Sequence, residues 1–390
     1  MSRIVISIYD DLYNPHYGGG GATMVLQIAQ RLVIEHDVTV ISASYKGSRN
    51  VVRSGVKYVF LPVGWAGPRA GQLLFHATLP FLALRGSYDL WIESFTPPFS
   101  SSFLPFFARR RPVVGLVQML SGRQASERYR MPFWRLERRG VRLYRDLIVL
   151  NETDLDLLRE LNRHATIALL SNGMDVPPRP VTLGQGDHIL YLGRIDVNLK
   201  GLDLLIEAQA RASTLGPVLP LVIAGSGTKS EEQKLRALLT ARPGVNALMV
   251  GRVGGAVKED LLRRCACLVM PSRYETFGLS ALEAMAHGRA VVVFDLSRLS
   301  WIDPLCSVKI APFDTDALAR ALLCLSTDSN LRRDMGDRAY TAALLHDWDA
   351  VGDRYREFIS GVMTRANLER PRLKSNRSFF FWWTRLLRRR

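Results

Sequence analysis

Glu275 and Glu283 are two carboxylates with seven residues between them, and a Phe277-Gly278-Leu279 turn lies in the gap. Upstream, Arg194 and Lys200 are two cations bounded by Gly193 and Gly201. A planar Arg fork and a Lys point charge on one loop can converge on a single anion. The stretch Leu279–Ala286 is built from helix formers, so a helix is expected to begin after Gly278. The N–H groups from Thr276 to Leu279 then lack intrahelical partners and suit an anion such as a diphosphate. Carboxylates accept hydrogen bonds from hydroxyls. The two cations and the free amides fit a phosphorylated ligand.

Such residues must be held by strands and helices, and the chain alternates the two. Ile4–Tyr9, Asp37–Ser42, Val56–Pro62, Leu90–Glu93, Val113–Val117 and Asp146–Leu150 read as strands in the first half. Ala22–Ile34 reads as a helix there. The second half offers strands at His188–Leu192, Pro220–Ala224, Ala247–Val250, Cys267–Met270 and Ala290–Phe294. Helices are expected near Gly201–Leu215, Ser230–Thr240, Lys258–Arg264, Leu279–Ala286, Asp316–Ser326 and Leu331–Leu345. This alternation predicts two parallel sheets built from βαβ units. Between them, 171–180 is rich in Pro and Gly and reads as an irregular link. The Arg194 loop, Ala224-Gly225-Ser226-Gly227 and Gly251-Arg252 each follow a strand, where such sheets bind ligands. Tyr17-Gly18-Gly19-Gly20-Gly21 precedes a helix, after a long loop with Asp10, Asp11 and His16. Its spacing is not the Gly-x-Gly-x-x-Gly of dinucleotide enzymes.

The Glu275…Glu283 segment, Gly-Arg-(five residues)-Lys-Gly at 193–201 and the Asn172-Gly173-Met174-Asp175 junction resemble the retaining glycosyltransferase family four (group 1). The resemblance covers about residues 1 to 360 and is strongest from 171 to 290. It implies an α/β chain of GT-B fold, two Rossmann-like parallel-sheet domains facing across a cleft. Residues 1–170 would bind the acceptor and 171–345 the nucleotide sugar. A helix at 346–365 would cross back to the first domain, leaving 366–390 as a tail. By the same resemblance Arg194 and Lys200 hold the donor diphosphate, Glu275 faces the sugar and Glu283 binds the ribose. Gly20, Gly21, Gly225, Arg252, Thr276, Phe277, Gly278 and Leu279 complete the donor site. Breaking a glycosyl–phosphate bond builds negative charge on the departing phosphate. Fixed cations stabilise that charge as it develops, work a divalent metal does elsewhere. No metal or cofactor beyond the nucleoside-diphosphate sugar is therefore expected.

Two departures from the family pattern stand out. Relatives often carry a histidine where this chain has Gln118, which removes an imidazole from the acceptor side; His16 is a candidate substitute. Relatives also often carry a Gly-Gly-(two residues)-Glu turn where this chain reads 295–300 without one. The pairs Asp154/Asp156, Asp314/Asp316 and Asp347/Asp349 imitate a metal-binding Asp-x-Asp. The first two fall at or near expected helix starts, where acids cap free N–H groups.

The net charge of +16 points to an anionic partner. Four cysteines, at 265, 267, 306 and 324, make no metal pattern and read as core residues in a reducing compartment. No apolar run reaches the ~20 residues needed to cross a bilayer. Basic clusters bracket five aromatics, Phe379 to Trp383, in the tail. Eight arginines, interleaved with aromatics, lie between 123 and 145. Both fit an anionic membrane surface better than nucleic acid. The expected protein is a cytoplasmic glycosyltransferase held at the inner face of the cell membrane. It would transfer a sugar, with retention, to a lipid-linked glycan in bacterial surface polysaccharide synthesis. Two alternatives are a nucleotide-sugar-binding scaffold without turnover and a same-fold epimerase or phosphorylase.

Overall fold

The structure, a computed structural model, describes residues 1–14, 20–95, 102–108, 111–120, 122–180 and 183–369. His16, Gly18, Gly19 and the basic aromatic tail lie outside the described residues. The chain divides into two compact units, one formed by Met1–Ser171 with the residues from Val351 onward, the other by Asn172–Ala350.

The first unit contains β1 (Arg3–Ser7), α1 (Gly20–Leu32), β2 (Asp37–Ala43), β3 (Val51–Arg53), β4 (Val56–Leu61), α2 (Gly67–Arg85) and β5 (Leu90–Ser94). It continues with α3 (Leu104–Phe107), β6 (Val113–Val117), α4 (Gly122–Tyr129), α5 (Phe133–Val141), β7 (Asp146–Val149), α6 (Glu152–Leu161) and β8 (Thr166–Leu169). Its eight strands pair in the order β3-β4-β2-β1-β5-β6-β7-β8. All neighbours are parallel except β3 with β4. β5 and β6 are buried along their whole length, as expected of central strands covered on both faces.

The second unit runs β9 (His188–Leu192), α7 (Leu202–Leu215), β10 (Leu221–Ala224), α8 (Lys229–Thr240), β11 (Ala247–Gly251), α9 (Gly255–Arg264) and β12 (Cys265–Met270). Then come α10 (Leu279–Ala286), β13 (Ala290–Phe294), β14 (Ser307–Ile310), α11 (Thr315–Thr327), α12 (Ser329–Leu344) and α13 (Trp348–Glu369). The sheet order is β11-β10-β9-β12-β13-β14, parallel throughout. β12 and β13 are fully buried apolar runs. α10 buries Ala281, Leu282, Ala284, Met285 and Ala286, and its small side chains let α12 pack closely on it. From Val351 onward α13 belongs to the first unit, where Tyr355 donates to the Leu170 carbonyl at 3.1 Å.

Several expectations are corrected. β3, β8 and β14 and helices α2 to α5 were not anticipated as elements, and β1 ends at Ser7 rather than Tyr9. Three cysteines are buried, but Cys324 lies exposed on α11. All three Asp-x-Asp pairs stand at helix starts. Asn151 caps α6 and accepts from the Asp154 amide, Asp314 caps α11, and Asp347 accepts from the Asp349 amide.

Candidate active site

The loops that follow β9, β10, β11 and β12 are tied to one another by backbone hydrogen bonds. Gly193 N–H donates to Ala224 O, Ile195 to Ser226 O, Gly225 to Gly251 O and Arg273 to Leu199 O, at 2.7 to 3.0 Å. Such close approach needs residues without side chains. A Cβ on Gly225 would stand 1.7 Å from Gly193 O, and one on Gly201 would stand 1.8 Å from Pro271 O. Gly201 also takes a positive φ of 65°, which starts α7 directly after Lys200.

Lys200 and Glu275 meet on this platform. The Lys200 Nζ donates to Glu275 Oε1 at 2.5 Å, with the two side chains 20% and 11% exposed. Ser272 Oγ donates to the same oxygen at 2.7 Å, and Ser272 is buried. Arg194 is different. Its side chain is largely exposed and, among the described residues, pairs with Asp196 at 3.8 Å, a contact that fixes it weakly. Its carbonyl accepts from the Tyr191 hydroxyl at 2.7 Å. Burial pushes the Tyr191 phenol far up, with the Glu275 and Asp196 carboxylates adding to the rise and Arg194 opposing it. That hydroxyl therefore stays neutral, a donor under the Arg194 loop.

Gly278 adopts φ +83° and opens α10, whose first amides come from Leu279 and Ser280. The turn is braced from behind. Phe277 stacks on Trp301 with ring centroids 4.5 Å apart, and Trp301 Nε1 donates to Phe277 O at 2.8 Å. His346 meets both rings edge-on. On α10, Glu283 accepts from Lys258 of α9 at 3.1 Å. His287, one turn on, contacts the Glu259 carboxylate at 2.6 Å and the Glu283 carbonyl at 2.8 Å. α9 thus holds the helix that carries Glu283.

In the first unit Gln118 follows β6, and its amide nitrogen donates to Ser94 Oγ at 2.9 Å and Gly21 O at 3.4 Å. A Cβ on Gly21 would lie 2.3 Å from the Gln118 amide oxygen, so the glycine at the start of α1 makes room for this side chain. Gly20 is the first residue of that helix.

Sequence reasoning missed Ser272, Arg273, Lys258, Tyr191 and Trp301. Ser272 lies three residues from Glu275 in the same loop, and that proximity was a usable signal. Lys258 has none, because its partner is 25 residues away on another helix.

Residues 18–176 match the family model Glycosyltransferase Family 4, and residues 186–328 match Glycosyl transferases group 1. The chain is 27% identical over 365 residues to the phosphatidyl-myo-inositol mannosyltransferase of Mycolicibacterium smegmatis, covering 88% of this chain and 91% of that protein. It is 28% identical over 276 residues to the GDP-mannose:cellobiosyl-diphosphopolyprenol alpha-mannosyltransferase of Xanthomonas campestris, 65% of this chain and 70% of the other. In fold it is similar to sucrose-phosphate synthase from Thermosynechococcus elongatus, with a TM-score of 0.80 at 18% identity over 94% of this chain and all of that one.

Proposed function

This chain belongs to the group 1, family four glycosyltransferases, and we propose that it moves a hexosyl group, with retention, from a nucleoside-diphosphate sugar to a hydroxyl of a lipid-linked glycan. The observation that carries the reading is the Lys200–Glu275 pair on loops locked together after parallel strands. Lys200 and Arg194 hold the diphosphate, with the first amides of α10 as further donors. Glu275 Oε1 is occupied by Lys200 and Ser272. Its Oε2, without a hydrogen-bond partner among the described residues, receives a sugar hydroxyl. Glu283 accepts from the ribose, held in place by Lys258. As the bond from the anomeric carbon to the phosphate breaks, charge grows on the diphosphate, and the two cations favour that transition state over the bound donor. No metal is required for this step.

The names of the two mannosyltransferases support a lipid-linked acceptor, and that of the Xanthomonas protein supports a nucleoside-diphosphate donor. A membrane partner is supported by the charge of +16 and by α5, whose exposed Trp134 lies under two arginines. A second reading, nucleotide-sugar binding without turnover, is favoured by Gln118, whose amide is spent on Ser94 and Gly21. The test is transfer of labelled sugar from UDP-, GDP- and ADP-sugars into a lipid extract, with and without EDTA. Label in the lipid fraction, insensitive to EDTA and reduced at least about 100-fold by Glu275→Ala, is the expected outcome. Donor binding with no transfer to lipid or soluble acceptors would establish the second reading instead.

A further inference from the structure

We infer that Arg273 is a positioning residue that fixes Lys200 relative to Glu275, an inference that rests on the reading of those two as diphosphate- and sugar-binding groups. Arg273 lies three residues past the end of β12 and two before Glu275, and its contacts bracket Lys200 on both sides. Its guanidinium forks onto Asp203 in the first turn of α7, Nη1 to Oδ1 at 2.8 Å and Nη2 to Oδ2 at 2.7 Å. Nη1 also donates to the Asn198 carbonyl at 2.6 Å, and the Arg273 backbone N–H donates to Leu199 O at 3.0 Å. Asn198 and Leu199 directly precede Lys200, and Asp203 follows it by three residues. One side chain thus grips the Lys200 loop before and after the lysine, while its own backbone leads into Glu275.

The chemistry of the grip requires arginine. Three acceptors lie around one guanidinium, which a planar fork can satisfy together and an ammonium on a flexible stem cannot hold in the same plane. The pair with Asp203 is only partly exposed, at 28% and 35% for the two side chains, and the ring of Phe313 lies 5.9 Å from the guanidinium carbon. The Arg273 and Asp203 side chains meet neither Lys200 nor Glu275 in any hydrogen bond of the described residues, so their effect on transfer runs through placement. A misplacement of about 1 Å between groups that act on one transition state costs about 100-fold in rate. Free nucleoside diphosphate meets Lys200 but not Glu275, so its affinity senses only part of this displacement, whereas turnover needs both groups in place.

The experiment compares native protein with Arg273→Lys, Asp203→Asn, the double variant and Lys200→Ala. It measures nucleoside-diphosphate release from GDP-mannose and UDP-glucose, affinity for GDP and UDP by calorimetry, and thermal unfolding. Arg273→Lys and Asp203→Asn are each expected to lower kcat about 30- to 100-fold. Affinity for GDP or UDP should fall by less than about tenfold, less than kcat does. The double variant should be no slower than the slower single one, because both substitutions remove the same contact. Native kcat in Arg273→Lys overturns the inference. So does a loss of GDP or UDP affinity as large as the loss of kcat, or unfolding below the assay temperature, since either marks a general structural role. If Lys200→Ala loses turnover while Arg273→Lys does not, only this inference fails; if Lys200→Ala keeps native turnover, the reading of the site fails with it.

Discussion

Glu275 and Glu93 are both carboxylates with two close donors, yet their surroundings give them opposite tasks. Glu275 is paired with a cation and remains at the edge of solvent. Glu93, at the end of β5, is fully buried; the Tyr144 hydroxyl and the Ser102 amide bind its two oxygens. Burial outweighs those hydrogen bonds and pushes its pKa up to about 7 from an ordinary 4.5. Its neutral form is therefore favoured in the folded chain. The stabilisation is complete below about pH 4.5 and is lost as pH rises towards 7, a change of roughly 3 kcal/mol. Glu93→Gln keeps one acceptor and one donor without ionising. It is expected to flatten the fall in stability between pH 5 and 7 and to raise the melting temperature at pH 8. Asp10, likewise pushed up to about 7 by burial, leaves a residual slope. Thermal unfolding across that range decides the matter, and parallel curves for the two proteins would sink the idea. At this scale the sequence was informative about Arg194, Lys200, Glu275 and Glu283, whose types and spacing are visible along the chain. It was silent on Arg273, whose partner Asp203 is 70 residues away, and on Lys258.

The elements divide by how strongly their local pattern constrains them. α10 begins and ends where the sequence predicted, because a turn glycine and a run of helix formers mark its limits. α7 starts one residue later than expected, since Gly201 takes the left-handed conformation as its cap. Gly201→Ala tests what that position does. Its Cβ would fall 1.8 Å from Pro271 O in a backbone conformation unfavourable to alanine. A loss of about 3 kcal/mol of stability, read by thermal unfolding, is expected, together with loss of transfer as Lys200 shifts. Native stability and activity would show that the two loops are free to separate. The elements not read from sequence are explained by length and composition. β3, β8 and β14 have three or four residues each, too few for an alternating pattern to emerge. α2 carries Pro80 in its interior, and α5 is so rich in arginine that its apolar stripe is thin.

Across the whole molecule the excess of basic residues is the property that bears on a partner, and the structure sorts the arginines by role. Arg111 is absorbed into the first unit, bonded to Gly86 O and stacked over Tyr88. Arg135 and Arg138 instead lie over Trp134 at 5.2 and 5.8 Å on α5, with Met131, Leu136 and Leu143 exposed nearby in sequence. A tryptophan between arginines suits the headgroup level of an anionic bilayer. The triple variant Trp134→Ala, Arg135→Ala, Arg138→Ala is expected to bind vesicles containing phosphatidylglycerol about 30-fold more weakly than native, at roughly 1 kcal/mol per arginine. Sedimentation with vesicles checks this; undiminished binding would show that α5 does not engage a membrane. The sequence by itself determined the two-sheet α/β organisation and the family, and it proposed four charged residues for the candidate site. Those depend on alternation, local spacing and strand-end position, which are all written along the chain. Only the tertiary structure decided that Lys200 pairs with Glu275, that Arg273 grips the loop that carries Lys200, that Lys258 contacts Glu283, and which arginines serve packing. Those facts depend on contacts between residues far apart in sequence, fixed by how closely glycines let the strand-end loops approach.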